Sequence, residues 1–300
     1  MTARTGLLVL SHGTPASREE VAPFYTAIRH GRAPSPEQLA DLERRYDAIG
    51  GTSPLAERTA DQVAGIARAL RDRDGDRFVV EGATKYATPR IEDAVERLVD
   101  AGVADVIGLV LAPLRAPMST DQYHDRAASA LRARVPYHAV WSWWAAPGFA
   151  ELLAVRVRDA VAACASDPLV VFSAHSLPVS ALAAGTDYPG ELRGAAAAVA
   201  RSAGLRDHLV CWQSAGRTSD EWLGPDVLAL LRQLDADVVH DVVVCPVGFV
   251  ADHLEVLYDL DVEAAGVALA RGIALHRTAS LNDDPALCAI LAAVVEGASP

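Results

Sequence analysis

One lysine, Lys85, stands among 27 basic side chains, so the positive charge of this chain is almost wholly arginine. Acidic residues outnumber basic ones, 39 to 27, which gives a net charge of −12. Phosphate backbones are bound by basic faces, so nucleic acid is not an expected partner. Cysteine is scarce: Cys164, Cys211, Cys245 and Cys288 are far apart and include no C-x-x-C pair. That spacing argues against a disulfide framework or a thiolate zinc centre, and favours small buried apolar residues. No apolar run is long enough to span a bilayer, so no stable membrane insertion is expected. The segment from Met1 to Gly6 leads directly into a strand-like run without a long apolar leader, so the expected compartment is the cytoplasm. Nucleotide-binding loops are missing too. The turn Gly50-Gly51-Thr52-Ser53 lacks the lysine of a phosphate loop, and no G-x-G-x-x-G follows a strand. Ser173 and Ser176 lie outside any G-x-S-x-G elbow, which argues against a serine hydrolase.

What is present is alternation. The 300 residues are 51% hydrophobic and 22% charged, which suits a globular chain of one large or two medium domains. Strand-like runs occur at Gly6–Ser11, Arg77–Glu81, Ala104–Leu111, Tyr137–Trp141, Leu169–Ser173, His208–Gln213, Val238–Cys245 and Gly272–Thr278. Several are continuously apolar, as in strands covered on both faces. Helical patterns separate them, among them Glu19–Arg29, Pro36–Ile49, Thr120–Arg134, Glu191–Ala203, His253–Glu263 and Pro285–Glu296. Ser35-Pro36 and Asp284-Pro285 each pair a cap residue with proline at the first helical position. This pattern predicts an α/β fold with mainly parallel sheets. The chain also repeats itself. Leu7 to Pro15 echoes Leu169 to Pro178, and Val110-Leu111-Ala112-Pro113 echoes Val244-Cys245-Pro246-Val247. Two similar lobes are therefore expected, residues 1–146 and 147–300, with a cleft between their strand ends.

Two segments carry chemistry. The run Leu169-Val170-Val171-Phe172-Ser173-Ala174-His175-Ser176-Leu177-Pro178 reads as a buried strand whose tip holds a histidine, in the crevice where open α/β sheets bind ligands. Such a histidine can exchange protons near neutral pH, although a hydrogen-bonded structural role is the commoner use. The second segment, Asp252 to Glu263, places Glu255, Asp259 and Glu263 four residues apart on one expected helix face, with His253 at its start. A solvated acidic stripe is the plainer reading. The apolar positions Leu254, Val256, Leu257 and Leu260 suit equally a row of oxygens leading a divalent cation to a pocket, and spacing leaves both readings open. Nearer the N-terminus, Arg29, Arg32, Arg44 and Arg45 with Thr52 and Ser53 read most plainly as surface arginines and a helix cap, and more sharply as a cluster for a multiply carboxylated ligand.

Taken in order, Gly13-Thr14-Pro15, Tyr25–Arg32, Leu42–Leu55, Ile91–Val95, Ser173–Pro178, Trp212–Ser214, Trp222–Asp226 and Pro246–Glu263 resemble the ferrochelatases over nearly the whole chain. Members of that family insert Fe²⁺ into a porphyrin. The resemblance implies two Rossmann-like lobes, each a mainly parallel sheet flanked by helices, around a porphyrin cleft. It implies His175 and Glu255 as the catalytic and metal-facing pair, with Asp259 and Glu263 extending toward a metal entry path. It places His12, Tyr25, Arg29, Arg45, Thr52, Ser53 and Tyr123 on the substrate side, with Arg29, Arg45, Ser53 and Tyr123 at propionates. The soluble coproporphyrin branch is the nearer likeness, so coproporphyrin III and ferrous iron are the expected partners, and a monomer needing no cofactor is expected. Two departures stand out. His12 replaces a tyrosine common in bacterial relatives and is a better axial ligand. Leu114-Arg115-Ala116-Pro117-Met118 replaces a hydroxyl- and aromatic-rich loop. With only Cys288 near the C-terminus, no iron–sulfur cluster is expected. A chelatase for another metal or tetrapyrrole, and a non-catalytic tetrapyrrole carrier, are the alternatives.

Overall fold

The computed structural model describes residues 4–216 and 218–299, so the expectation drawn from Met1 to Ala3 lies outside the described residues. Two four-stranded sheets form, and every strand pair in them is parallel. The first holds β1 (Thr5–Ser11), β2 (Phe78–Thr84), β3 (Asp105–Val110) and β4 (Tyr137–Val140), in the order β2-β1-β3-β4. The second holds β5 (Leu169–His175), β6 (Leu209–Gln213), β7 (Asp241–Cys245) and β8 (Ala274–Arg277), in the order β6-β5-β7-β8. The same order recurs, so the short sequence echo marks a repeated topology. β1 and β7 are buried at every position, because helices cover both faces of their sheets.

The helices are α1 (Val21–Ile28), α2 (Pro36–Ala48), α3 (Leu55–Asp74), α4 (Ile91–Asp100), α5 (Gln122–Leu131), α6 (Phe149–Ala162), α7 (Tyr188–Ala203), α8 (Val227–Gln233), α9 (Leu254–Leu257), α10 (Ala265–Ala270) and α11 (Pro285–Gly297). Ser35 opens α2 with a reciprocal cap. Its hydroxyl accepts from the Gln38 amide at 3.3 Å, and its own amide donates to the Gln38 side chain at 3.0 Å. Asp284 caps α11 by accepting from the Ala286 amide at 2.8 Å.

Three helical expectations change. α7 starts at Tyr188 rather than Glu191, because Asp187 caps it by accepting from the Gly190 amide at 2.9 Å. The Thr120–Arg134 pattern divides into a π turn at Pro117–Asp121 and α5, which stops where Arg132 adopts φ 51°. The expected helix His253–Glu263 is one α turn, α9, followed by a π turn at Asp259–Ala264. There the Glu263 amide donates to the Tyr258 carbonyl at 2.9 Å, five residues back. The wider turn takes in one extra residue and lets Asp259 and Glu263 line the same cavity.

The core is continuous across the halves. Leu7, Ile66 and Ile107 of the first share one buried cluster with Val170, Phe172 and Val243 of the second. α11 crosses back onto α3, where Gln62 donates to the Asn282 carbonyl at 2.8 Å and Arg73 grips both Glu296 oxygens at 2.6 and 2.7 Å. The last helix of the chain thus braces the N-terminal half.

Candidate active site

The carboxyl ends of β1 and β5 carry His12 and His175. Each strand leads into a sharp turn. Gly13 sits at φ +85°, where a Cβ would come within 2.8 Å of the Ala87 Cβ. Behind β5, the Gly248 amide donates to the Ser173 carbonyl at 3.1 Å, and a Cβ on Gly248 would come within 2.6 Å of the Ala174 Cβ. The loop after β7 can therefore cross the tip of β5 and deliver α9 beside His175.

There His175 Nε2 lies 3.5 Å from Glu255 Oε1, and His253 Nε2 lies 3.6 Å from Glu255 Oε2. One carboxylate thus stands between two imidazoles. The side chains of His175 and Glu255 keep 33% and 40% of their surface open, so the pair faces accessible space. Protein still surrounds the pair. Burial opposes charge on His175, but Glu255, its hydrogen bond and the Ser176 carbonyl outweigh that and raise the imidazole to about 9. Burial likewise opposes charge on Glu255, and the two histidines hold its carboxyl well below the usual range. Gln213, fully buried, fixes the arrangement. It accepts from the Ser173 hydroxyl at 2.8 Å, donates to the Glu255 carbonyl at 3.3 Å, and its own carbonyl takes the Ser176 amide at 2.7 Å. The segment Trp212-Gln213-Ser214 signalled this region, although spacing gave no reason to single out Gln213.

Asp259 follows on the π turn. It is 6% exposed, accepts from the Ser214 hydroxyl at 2.5 Å and lies 3.5 Å from Arg45. Burial and the Glu255 charge raise its carboxyl to about 6, against the pull of Ser214 and Arg45. Glu263 joins Asp259, Arg45, Ser214 and Asp226 around a cavity of about 170 Å³. Asp252 turns away from this row: it accepts from Ser280 at 2.7 Å and Asn282 at 3.0 Å. Asp261 turns to Arg277 at 2.7 Å.

The wall opposite comes from the first half. His12 is open to the cleft, packs against Tyr86 at 5.0 Å and Phe24 at 5.8 Å, and its Nδ1 lies 3.2 Å from the Gly13 carbonyl. Poor solvation lowers its pKa despite the raising influence of Glu255. The Glu255 charge also reaches Tyr46 and Tyr123, so these first-half side chains share its surroundings. Tyr123 is buried, and Lys85 lies 5.1 Å from its ring centre and 5.2 Å from that of Tyr86. Burial and Arg126 lower Lys85 to about 8. Sequence reasoning read the only lysine as a sign of composition and missed its place in this wall. Its flanking Tyr86 was the available signal.

The outer residues divide. Arg29 lies 5.6 Å over the Tyr25 ring and donates to the Arg32 carbonyl at 3.3 Å. Thr52 is exposed, and the buried Ser53 hydroxyl accepts from the Leu55 amide at 3.3 Å. Arg45 is drawn elsewhere: its guanidinium lies between Asp41 at 3.3 Å and Asp259 at 3.5 Å, and over Tyr258 at 5.0 Å. It therefore neighbours the acid row. In the Leu114–Met118 loop, Arg115 is clamped by Asp121 at 2.9 and 3.1 Å and stacks on Trp141 at 4.4 Å.

A row of acids, a carboxylate between imidazoles and a facing aromatic wall make a cleft that can pass cations inward and protons outward. Two parallel lobes around it are the architecture of chelatases. In fold the chain is similar to SirB from Bacillus subtilis with Fe³⁺ (TM-score 0.60, 13% identity, 98% of this chain and 95% of that one). It is also similar to CbiX, described as the terminal enzyme of siroheme biosynthesis in denitrifying bacteria (TM-score 0.56, 16% identity, 98% and 100%). The ferrochelatase family model matches residues 4–299, and the chain belongs to the ferrochelatase family, whose members are enzymes that insert metal into porphyrin. Relatives named coproporphyrin III ferrochelatase include that of Halalkalibacterium halodurans, 41% identical over 98% of this chain and 96% of its own length. That of Geobacillus kaustophilus is 41% identical over 97% and 94%. A protein of Herpetosiphon aurantiacus named ferrochelatase is 40% identical over 99% and 100%.

Proposed function

We propose that this chain inserts Fe²⁺ into coproporphyrin III to give coproheme, with His175 and Glu255 exchanging the protons. The contact between His175 Nε2 and Glu255 Oε1 at 3.5 Å, in a cleft shared with His12, is the observation that carries this reading. The names of the relatives support the substrate. The reaction balances without a redox partner: one dication enters the ring and two pyrrole protons leave.

The raised pKa of His175 sets the order of events. At neutral pH the free enzyme holds the imidazole protonated against Glu255. A proton acceptor must first be emptied. An arriving dication repels that proton, as any like charge lowers the pKa of a neighbouring imidazole. Neutral His175 then takes a pyrrole proton, and Glu255 stabilises the imidazolium that forms. Asp259, at about 6, holds or releases a proton near neutral pH and so suits a relay toward Glu263 and water. The same row, Glu263, Asp259 and Glu255, serves the incoming iron. Among the described residues no three His, Cys, Asp or Glu donors close to within 4.8 Å of one another there. A path that does not cage the cation can release it to the ring.

Arg29, Tyr25, Thr52 and Ser53 are assigned to the propionates, and Arg45 to the charge balance of the acid row. One chain supplies both walls, so the working unit is a monomer. Four free thiols suit the cytoplasm, and no iron–sulfur cluster takes part. An anaerobic absorbance assay with Fe²⁺ tests the proposal, comparing coproporphyrin III with protoporphyrin IX. Faster metallation of the tetracarboxylate is expected. Equal or slower use of it removes the substrate assignment, and no metallation of either removes the activity.

A further inference from the structure

At the opposite pole of the second sheet lies a cluster that the insertion reaction does not use. Asp241 opens β7, His276 lies on β8, and Cys164 follows the last turn of α6. The β5–β7 register pairs Leu169 with Val242, so Asp241 lies roughly 20 Å along the sheet from His175. A carboxylate oxygen, an imidazole nitrogen and the thiol sulfur all lie within 4.8 Å of one another, the one such trio among the described residues. His276 Nε2 is 2.9 Å from Asp241 Oδ1. Asp241 Oδ2 is already engaged, by the Ser166 amide at 3.0 Å and the Ser166 hydroxyl at 2.5 Å. Ser166 therefore orients the carboxylate and leaves Oδ1 toward the cluster, as outer partners do for metal-binding acids. The Asp241 side chain is buried, but that of His276 is 27% exposed and Cys164 is half-buried, so the cluster reaches the surface through these two.

We propose that Cys164, Asp241 and His276 form a second cation site, taking one Zn²⁺ ion through sulfur, oxygen and nitrogen. The donor set of a thiolate, an imidazole and a carboxylate suits a borderline metal in tetrahedral geometry. The charges close as well. The thiol proton leaves to solvent, the proton that His276 Nε2 donates to Asp241 Oδ1 gives way as the ring takes the Nδ1–H tautomer, and thiolate plus carboxylate neutralise the dication. The N-terminal lobe provides an internal contrast. Asp105 and His138 occupy the same register as Asp241 and His276, since Ile107 pairs with His138 as Val243 pairs with His276. There, Asp105 Oδ1 and His138 Nε2 are buried without a hydrogen-bond partner, and no thiol completes the set. Isolated cysteines with no C-x-x-C gave no sign of a thiolate site, because the three ligands come from segments far apart in sequence.

Co²⁺ is the spectroscopic test, added to the chelator-stripped full chain. A cysteine ligand gives a thiolate-to-cobalt charge-transfer band that the cleft, which has no thiol, does not produce. One equivalent is expected to saturate the band, Zn²⁺ to remove it, Cys164→Ser to abolish it and His175→Ala to preserve it. No band, or a band that persists in Cys164→Ser, overturns the site. Should Cys164→Ser not fold, labelling of the wild-type thiols decides. Cys164 is the one cysteine not buried, and Zn²⁺ should slow its reaction with an aromatic disulfide at least tenfold. An unchanged rate overturns the proposal.

Discussion

His12 and His175 end the central strands of two sheets with the same strand order, β2-β1-β3-β4 and β6-β5-β7-β8. The protein shifts their pKa values in opposite directions. His175 meets Glu255 directly and is raised to about 9, while His12 feels Glu255 only at a distance and is lowered. Their positions match, so the neighbour brought by the following loop makes the difference. After β7 that loop delivers His253, Glu255 and an acid-bearing π turn. After β3 it delivers Arg115, tied to Asp121, and a π turn whose Thr120 hydroxyl accepts from the Ala116 amide at 2.8 Å. One lobe presents a carboxylate between two imidazoles and the other an aromatic wall.

Removing the active member of the pair should have the largest effect. His175→Ala is expected to lower insertion by about 10³-fold, within the range of general acid–base catalysis, with the porphyrin dissociation constant within about threefold of wild type. Single-turnover absorbance and porphyrin fluorescence titration measure the two. Near-normal turnover would show that the lobes are not specialised in this way.

Glu255→Gln tests the cause. Insertion should fall by about 10²-fold, and the His175 titration followed by NMR should move down from about 9, because only the Ser176 carbonyl and the Asp259 charge then oppose burial. Stability follows the same sign. A folded-state pKa above the unfolded one makes a contribution that is whole below about 6.5 and is lost as pH rises through about 9. Thermal melting of the wild type should therefore decline more steeply across that interval than melting of Glu255→Gln.

Much of this was legible in the sequence. Eight apolar runs marked eight strands because parallel strands under helices need apolar residues on both faces. Ser35-Pro36 and Asp284-Pro285 marked helix starts because a cap is a local device. His175 and Glu255 were visible as a strand tip and a helix face. The π turn at Asp259 was not, because four-residue spacing suits an α-helix equally well. Nor was the partner of Arg45: its contact with Asp259 joins α2 to a segment more than 200 positions away. Lys85 between Tyr86 and Tyr123 was hidden for the same reason, since adjacency in the folded wall leaves no period in the chain.

Asp259→Asn should have a smaller effect, about tenfold on insertion, with loss of any rate transition near pH 6. Here the raised pKa belongs to an acid, so its ionised form is the costly one. The penalty is absent below about 3.8 and fully imposed above about 6. Asp259→Asn should therefore gain stability relative to wild type as pH rises from 4 to 7. Denaturant midpoints across that range check the sign, and a difference that is flat with pH would place the acid in a more solvated position.

The smallest effect on insertion is expected at His12, and it is the sharpest test of the comparison. The Nδ1 of His12 faces the Gly13 carbonyl, and donation to that oxygen puts the lone pair of the neutral ring on Nε2. The ring is open to the cleft and lacks a carboxylate in contact, so at neutral pH it offers a ligand rather than a proton. His12→Phe removes that ligand and keeps an aromatic ring against Tyr86 and Phe24. Turnover before product release should stay within about threefold. If His12 ligates the inserted iron, the visible bands of the bound ferrous product should change and its dissociation should quicken. If His12→Phe instead slows insertion as much as His175→Ala does, both histidines handle protons and the matching strand ends are equivalent in function as well as in place.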